Sequence, residues 1–226
     1  MTFRVRLQAL LALLAAGPSG ILAAQVAGLP VRNAGIGTGI GVAADVGFPN
    51  GTAGKGLAVG ATGVVGLGPF GVSASLAHWK PKGQDAINSV GVTGNLKIFG
   101  GPLIPVAVTL QAGLAYYHVT TGDLQGNPVR ERVWHAPVGL GLALTIPNPV
   151  FSIKPWVAPR LDIVHRPSGS DSGSGSSTES NFGISGGVDF GFLSGLSIRV
   201  MYDRVQRGHG VHPSVLSLGL GFRVGK

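Results

Sequence analysis

The chain has 226 residues, of which 44% are hydrophobic and only 12% are charged, and its formal net charge is +8. This length suits one domain, and so few charges exclude an ordinary water-exposed surface. The 39 glycines and 15 prolines argue against a helical protein, and the absence of cysteine excludes a fold held together by disulfides.

The N-terminal part of the chain has the three regions of a secretory signal peptide. Two arginines precede an apolar stretch at 7–16, and small residues at 22–24 end the segment. We therefore expect residues 1–24 to be a signal peptide that directs export. Residues 25–226 are expected to form a single domain.

About ten later segments alternate between apolar and polar residues. The last one places Leu216, Leu218 and Leu220 on one face and Ser217 and Gly219 on the other. A period of two residues indicates β-strands, and each segment is about long enough to cross an outer membrane at a tilt. The first two segments are glycine-rich, so eight strands remain an alternative to ten. The predicted strands are 35–47, 57–66, 70–79, 89–99, 105–118, 133–146, 151–165, 182–192, 196–205 and 214–224.

Short and long connections follow one another between these segments. Short periplasmic turns and longer external loops are typical of membrane barrels. The face opposite the apolar one carries mainly glycine, serine and threonine, which suits a narrow polar lumen better than a solvated exterior. The sequence thus predicts an all-β fold, a closed antiparallel up-and-down transmembrane β-barrel. The short turns are 66–69, 100–102, 147–149 and 193–195, and the long loops are 48–56, 80–88, 119–132, 166–181 and 206–213.

Aromatic residues fall at both ends of the predicted strands. Two aromatic belts are expected where a barrel meets the two interfaces of a bilayer. The external belt comprises Trp79, Tyr116, Tyr117, Trp134 and Tyr202, and the periplasmic belt comprises Phe70, Phe99, Phe151, Phe192 and Phe222.

The C-terminal segment Ser217-Leu-Gly-Leu-Gly-Phe-Arg-Val224 carries a recognisable pattern. It resembles the terminal-strand signal of outer-membrane barrels, and residues 25–226 are similar to the small barrels of the OmpA/OmpX/OmpW type. The resemblance implies a bacterial outer-membrane location and recognition by the barrel-assembly machinery. The implied recognition positions are Ser217, Gly219, Phe222 and Val224. A closed barrel has no free sheet edge, so a monomer is expected.

Nine charged residues share the inward side of the predicted strands. Because an isolated buried charge is costly, these residues are expected to pair. One interpretation is a lumen plugged by salt bridges, and the other is a thin water-filled path with a slight preference for anions. The set consists of Asp45, Lys97, Lys154, Arg160, Asp162, Asp189, Arg199, Asp203 and Arg223.

Histidines near the predicted external rim form a further candidate site. His135 is predicted to point inward, whereas His209 and His212 lie on a loop. These three are weak candidates for a zinc or copper site. No metal and no cofactor are expected.

A catalytic rim is a further alternative. Asp203 with His209 or His212, and Asp123 near His118, are its candidate pairs. The second acidic pair that an omptin-like protease would need is missing. We therefore predict a protein that is not an enzyme.

Cationic residues cluster at the predicted external rim. Basic groups at a membrane interface attract anionic head groups, and lipopolysaccharide phosphate is the expected partner. Nucleic acid is not expected as a partner, since two positive charges leave with the signal peptide and no basic recognition helix is present. The candidate contacts are Lys80, Lys82, Arg130, Arg132, Arg204 and Arg207.

Three functions follow from these patterns, in decreasing order of support. The first is a non-enzymatic envelope protein with a largely plugged lumen, acting structurally or through its surface loops. The second is a narrow porin-like channel for small solutes or anions. The third is a rim enzyme acting on lipid or peptide.

Overall fold

The computed structural model of the protein describes residues 26–101, 104–122, 128–167, 176–207 and 212–225. Within these ranges the chain forms β-strands and one 3-10 turn at Gly51–Ala53, and no helix there is long and apolar enough to cross a membrane. The strands are β1 (Gly39–Pro49), β2 (Leu57–Leu67), β3 (Phe70–Lys80), β4 (Ile87–Phe99), β5 (Val106–Gly122), β6 (Pro128–Leu144), β7 (Ile146–Pro147), β8 (Phe151–Arg166), β9 (Ser177–Phe192), β10 (Leu196–Gln206) and β11 (Ser214–Val224).

The strands close into an antiparallel barrel. Apart from β6 and β7, which do not pair with each other, each strand pairs with its neighbour in the chain, and β1 pairs with β11, with Val42 opposite Phe222. The short β7 continues β6, because both pair with β8. Counting β6 and β7 as one, the described part of the chain has a ten-stranded wall. This confirms the predicted closed up-and-down barrel and the count of ten.

The two faces of the wall differ as the alternation predicts. On the outer face Val42, Leu76 and Leu220 expose 61%, 61% and 65% of their surface. On the inner face polar residues such as Thr109 and Ser217 are almost completely buried. A water-soluble domain has the opposite distribution, whereas an outward apolar band and a polar interior characterise membrane barrels.

The β5–β6 and β8–β9 hairpins are longer than predicted. The pairing of β5 with β6 continues outward to Gly122 opposite Pro128, and that of β8 with β9 continues to Arg166 opposite Ser177. Parts of the predicted external loops are therefore strand. Cross-strand hydrogen bonds extend these hairpins beyond the apolar segments from which the strand ends were predicted.

Residues 26–38, called here the lumen segment, lie inside the barrel instead of in its wall. Val31, Asn33 and Ala34 are 3%, 2% and 1% exposed. The prediction that the first strand begins at residue 35 is therefore wrong, and β1 begins at Gly39. Gly39 has a φ of +107°, a conformation that glycine adopts readily, and this turn redirects the chain from the lumen into the wall.

The lumen segment runs from the external end of the barrel to the periplasmic end. Near the external end of β4, Ser89 accepts a hydrogen bond from the Ala27 amide at 2.9 Å. Near the periplasmic end of β11, Arg223 Nη1 donates to the Gly37 carbonyl at 2.8 Å. The segment thus spans the length of the interior.

The structure divides the predicted external aromatic belt between the two faces. Trp79 turns inward, packs against the cluster that contains Leu29, and donates a hydrogen bond to the Lys55 carbonyl at 3.1 Å. Tyr117 also lines an inner cavity. Tyr116, Trp134 and Tyr202 lie on the outer parity of their strands, so the external belt is smaller than predicted.

Close packing of the lumen segment against β6 is testable at Gly141. A Cβ at this position would overlap the carbonyl oxygen of Asn33. We expect Gly141→Ala to destabilise the barrel by about 1–3 kcal/mol, because the segment would have to shift. The measurement is the temperature at which the folded, fast-migrating band is lost on gels.

The matched control is Gly63→Ala, since an added Cβ there meets nothing within 4 Å. This variant should unfold at the wild-type temperature. Equal unfolding temperatures for Gly141→Ala and the wild type would contradict the described seating of the segment.

Candidate functional site: the occupied lumen and its external vestibule

All nine of the predicted lumen charges lie on the inward parity of their strands. Lys97, Lys154 and Arg223 are half-buried. Six are buried, namely Asp45, Arg160, Asp162, Asp189, Arg199 and Asp203. The inward alternation therefore brings these residues into one confined space, where their pairing decides whether the interior is stable.

Arg199 and Asp45 form a bidentate ion pair on the inner face of the wall, across strand β11. Arg199 Nε donates to Asp45 Oδ1 at 2.7 Å, and Nη2 donates to Oδ2. The two residues lie on β10 and β1, with β11 between them, and both are in register with Gly219. A Cβ at Gly219 would overlap Asp45 Oδ1, so the missing side chain leaves room for the pair.

A second network joins four residues nearer the external end. Arg160 donates from Nε to Asp162 Oδ1 at 3.0 Å and from Nη2 to Asp203 Oδ1 at 2.8 Å. Asp162 Oδ1 is also 2.8 Å from His135 Nε2. Asp203 Oδ2 accepts the Val31 amide of the lumen segment at 2.8 Å. The wall charges thus also hold the segment.

Arg32 of the lumen segment supplies a charge partner that the sequence analysis missed. It forms an ion pair with Asp189, whose Oδ1 also accepts from Trp156 Nε1 at 3.3 Å. The Arg32 carbonyl accepts from Gln111 Nε2 at 3.0 Å. The irregular apolar pattern before Gly39 was the available sign that this stretch is not a wall strand.

An open cavity lies above the lumen segment at the external end. This external vestibule has a volume of about 290 Å³, and Val26–Leu29 contribute to its lining. Its wall includes Tyr117, His135, Asp162 and Arg207. A smaller cavity of about 80 Å³ lies beside the segment deeper in the barrel. The latter volume suits a few water molecules.

The predicted histidines do not come together in the described residues. His135 is held by Asp162, and His212 accepts hydrogen bonds at its backbone carbonyl from Thr52 and Asn50. His209 lies outside the described residues, as does Asp123. No group of three or more potential metal-ligating His, Cys, Asp or Glu residues occurs in the part of the chain that the structure describes.

The His135–Asp162 pair was not predicted as a pair, although both residues were assigned to the interior. Their strands β6 and β8 are neighbours, with Pro137 opposite Asp162. A carboxylate that orients an imidazole suits either proton transfer or a structural bridge. Among the described residues, the hydrogen-bond partner of the His135 ring is the Asp162 carboxylate.

The four predicted recognition positions near the C-terminus lie on both faces of β11, two on each. Ser217 and Gly219 face the lumen, whereas Phe222 and Val224 are exposed on the outer face. Gly219 therefore has a packing role beside the Arg199–Asp45 pair. Recognition of these four residues by the assembly machinery stays a prediction.

The predicted rim cations fall in two places. Lys80, Arg130, Arg132 and Arg204 are exposed on the outer parity of their strands, and Lys82 is exposed in the loop after β3. Arg207 instead lines the external vestibule. The outer cations are thus accessible from the lipid side, and Arg207 is accessible from the lumen side.

Comparison with solved structures places this architecture among bacterial outer-membrane barrels. The β domain of the Bordetella autotransporter BrkA gives a TM-score of 0.55 at 12% identity and covers 83% of this chain and 100% of that chain. The N-terminal barrel domain of Pseudomonas aeruginosa OprF gives 0.42 at 12% identity, with 83% and 98% covered. The NalP translocator domain of Neisseria meningitidis gives 0.43 at 14% identity, with 84% and 90% covered.

Sequence comparisons give no match. No protein-family model and no curated protein sequence matches the chain. The likeness to BrkA therefore shows the fold alone, which is that of an outer-membrane β-barrel.

The Arg199–Asp45 pair leads to a charge-reversal prediction. Arg199→Asp would place two buried carboxylates side by side, and we expect a loss of about 3–5 kcal/mol in the free energy of unfolding. Urea unfolding of the refolded barrel in lipid measures this loss.

The reciprocal variant Asp45→Arg/Arg199→Asp keeps one charge of each sign and should recover at least half of the lost stability. If the single variant is as stable as the wild type, or if the double variant recovers nothing, the pair does not stabilise the barrel.

Proposed function

We propose that the protein is a non-enzymatic outer-membrane component, exported by residues 1–24, whose barrel is closed by its own lumen segment. It acts structurally or through its external surface. One observation carries this proposal: the lumen segment runs through the whole interior. It is hydrogen-bonded through Ala27 to Ser89 near the external end and through Gly37 to Arg223 near the periplasmic end.

The bonding of the segment supports a permanently occupied lumen. It is anchored near the external end by the Val31 amide on Asp203 and further inside by Arg32 on Asp189. Releasing it would leave buried Asp189 without its cationic partner and Asp203 without one of its donors, which is energetically costly. Movement of the segment out of the barrel is therefore unfavourable.

A ten-stranded barrel has little interior space to spare. Its lumen grows with strand number, and barrels of this size hold little more than side chains and water. The lumen segment takes much of that space, since Ile36 lies where a Cβ on Gly71 would fall and Asn33 where one on Gly141 would fall. These inward glycines leave room for the segment.

A narrow anion channel is the second candidate function, because of the charges in the periplasmic half of the lumen. Lys97, Lys154 and Arg223 form no ion pair within the described residues. Their positive charge would favour anions if water passed beside the lumen segment.

Planar-bilayer conductance of the refolded chain 25–226 tests the proposal. The wild-type barrel is expected to be silent, whereas deletion of residues 26–34 should produce steps with a weak preference for anions. Of the nine predicted lumen charges, five are cationic and four are acidic, and all nine would then line the open lumen. The folded state of each variant is checked by its gel mobility before and after heating.

Two single-residue variants, one at an anchor of the lumen segment and one at the rim, refine this experiment. Arg32→Ala removes one anchor and should give intermittent openings, while Arg166→Ala should stay silent, because Arg166 pairs with Glu179 at the rim. Steady anion-selective steps in the wild type would replace the proposal with the channel. A folded but silent deletion variant would show that the segment is not what closes the lumen.

A further inference from the structure

We infer that the outer face of the β5–β6 hairpin binds the phosphate group of a phosphorylated lipid in the outer leaflet. The site, called here the basic-aromatic patch, consists of Tyr116, His118, Arg130, Arg132 and Trp134. All five residues share the outward parity of β5 and β6. In register, Tyr116 faces Trp134 and His118 faces Arg132. The inference rests on the membrane placement of the barrel and does not depend on the closed lumen.

The lower half of the patch is a fixed aromatic cluster. The ring centroids of Tyr116 and Trp134 are 4.6 Å apart, and the Tyr116 hydroxyl is 2.9 Å from His118 Nε2. The Tyr116 and His118 rings meet edge to face at 5.0 Å. Tyrosine and tryptophan on the outer wall mark the level at which the apolar band meets the polar head groups.

The arginines lie at the height at which head groups begin. Arg132 and Arg130 follow Trp134 toward the external end by two and four residues, or roughly 7 and 14 Å along the strand. A tilt of 35–45° reduces these distances to about 5 and 10 Å of height. Below the aromatic pair, Val138 and Leu140 are exposed and continue the apolar surface on which acyl chains lie.

On the described outer face of β5, β6 and β8, no carboxylate neutralises the positive charge of Arg130 and Arg132. Within residues 106–122, 128–144 and 151–166, no carboxylate has outward parity on β5, β6 or β8. Glu131 stands between the two arginines but on the inward parity. His118 Nδ1 has no hydrogen-bond partner in the described residues. Two guanidinium groups beside an imidazole form a site for a phosphate, which arginine binds through paired N–H donors.

The position of the patch selects a lipid over a soluble anion. It lies on the lipid-facing wall directly above an apolar surface, so the ligand must carry its phosphate just above acyl chains. Phosphorylated lipid A has that arrangement.

Arg204 makes a matched comparison, since it is exposed on the outer parity of β10, with the uncharged Ser214 and Ile184 opposite it on its two neighbouring strands.

Native mass spectrometry of the refolded full barrel tests the inference, with bisphosphorylated lipid A and the same lipid after phosphatase treatment as probes. The wild type should retain the phosphorylated lipid at least about tenfold more strongly, as expected for two charge-assisted hydrogen bonds. Arg130→Gln/Arg132→Gln should abolish this preference, and Arg204→Gln should preserve it.

Three outcomes would overturn the inference. They are equal retention of the two lipids by the wild type, an unchanged preference in the double variant, and displacement of the lipid by millimolar inorganic phosphate, which would indicate a soluble anion site. Conductance of the same variants separates the two proposals. If the wild-type barrel shows no lipid preference but does not conduct, only the lipid-binding proposal fails. If the wild-type barrel conducts, only the proposal of a closed lumen fails.

Discussion

Hydrogen bonds between β1 and β11 close the barrel, and both the exterior and the interior of the protein follow from this closure. In lipid, an unpaired backbone N–H or C=O has no water to bind, so a sheet can span the membrane only without free edges. The pairing of Ile40 through Pro49 with β11 removes both edges. Closure then divides every strand into a lipid face and a lumen face, and this division explains the apolar exterior and the small, polar interior.

A closed ten-stranded wall creates a second requirement, which is the filling and neutralisation of a narrow interior. The wall supplies Asp45 with Arg199, and Asp162 and Asp203 with Arg160, but Asp189 is paired from outside the wall. The lumen segment meets both needs, because it brings Arg32 and also occupies volume. Glycines on the inner face leave the space for its backbone. The Arg32–Asp189 ion pair thus links the lumen segment to the barrel wall and neutralises one charge of each.

The external end presents two chemically different surfaces that the barrel wall separates. Inside, the external vestibule is lined by His135, Asp162 and Arg207 above the lumen segment. Outside, the basic-aromatic patch faces lipid. Strand parity alone assigns each rim residue to one surface or the other, as Glu131 and Arg132 illustrate on a single strand. A change on one surface can therefore leave the other intact, and the two proposals can be tested independently.

The alternation of residues was enough to predict the barrel, its antiparallel order and the inward parity of charges such as Asp45 and Arg199, because a period of two residues is a local property of each strand. It did not determine which charges pair. Arg199 reaches Asp45 across an intervening strand, and His135 meets Asp162 only through the neighbouring positions of β6 and β8. The lumen segment also escaped prediction, because its irregular apolar pattern is too weak a sign to separate residues 35–38 from the start of a glycine-rich strand. Only closure of the barrel creates the interior that buries them, so what fills the lumen could be seen only in the folded barrel.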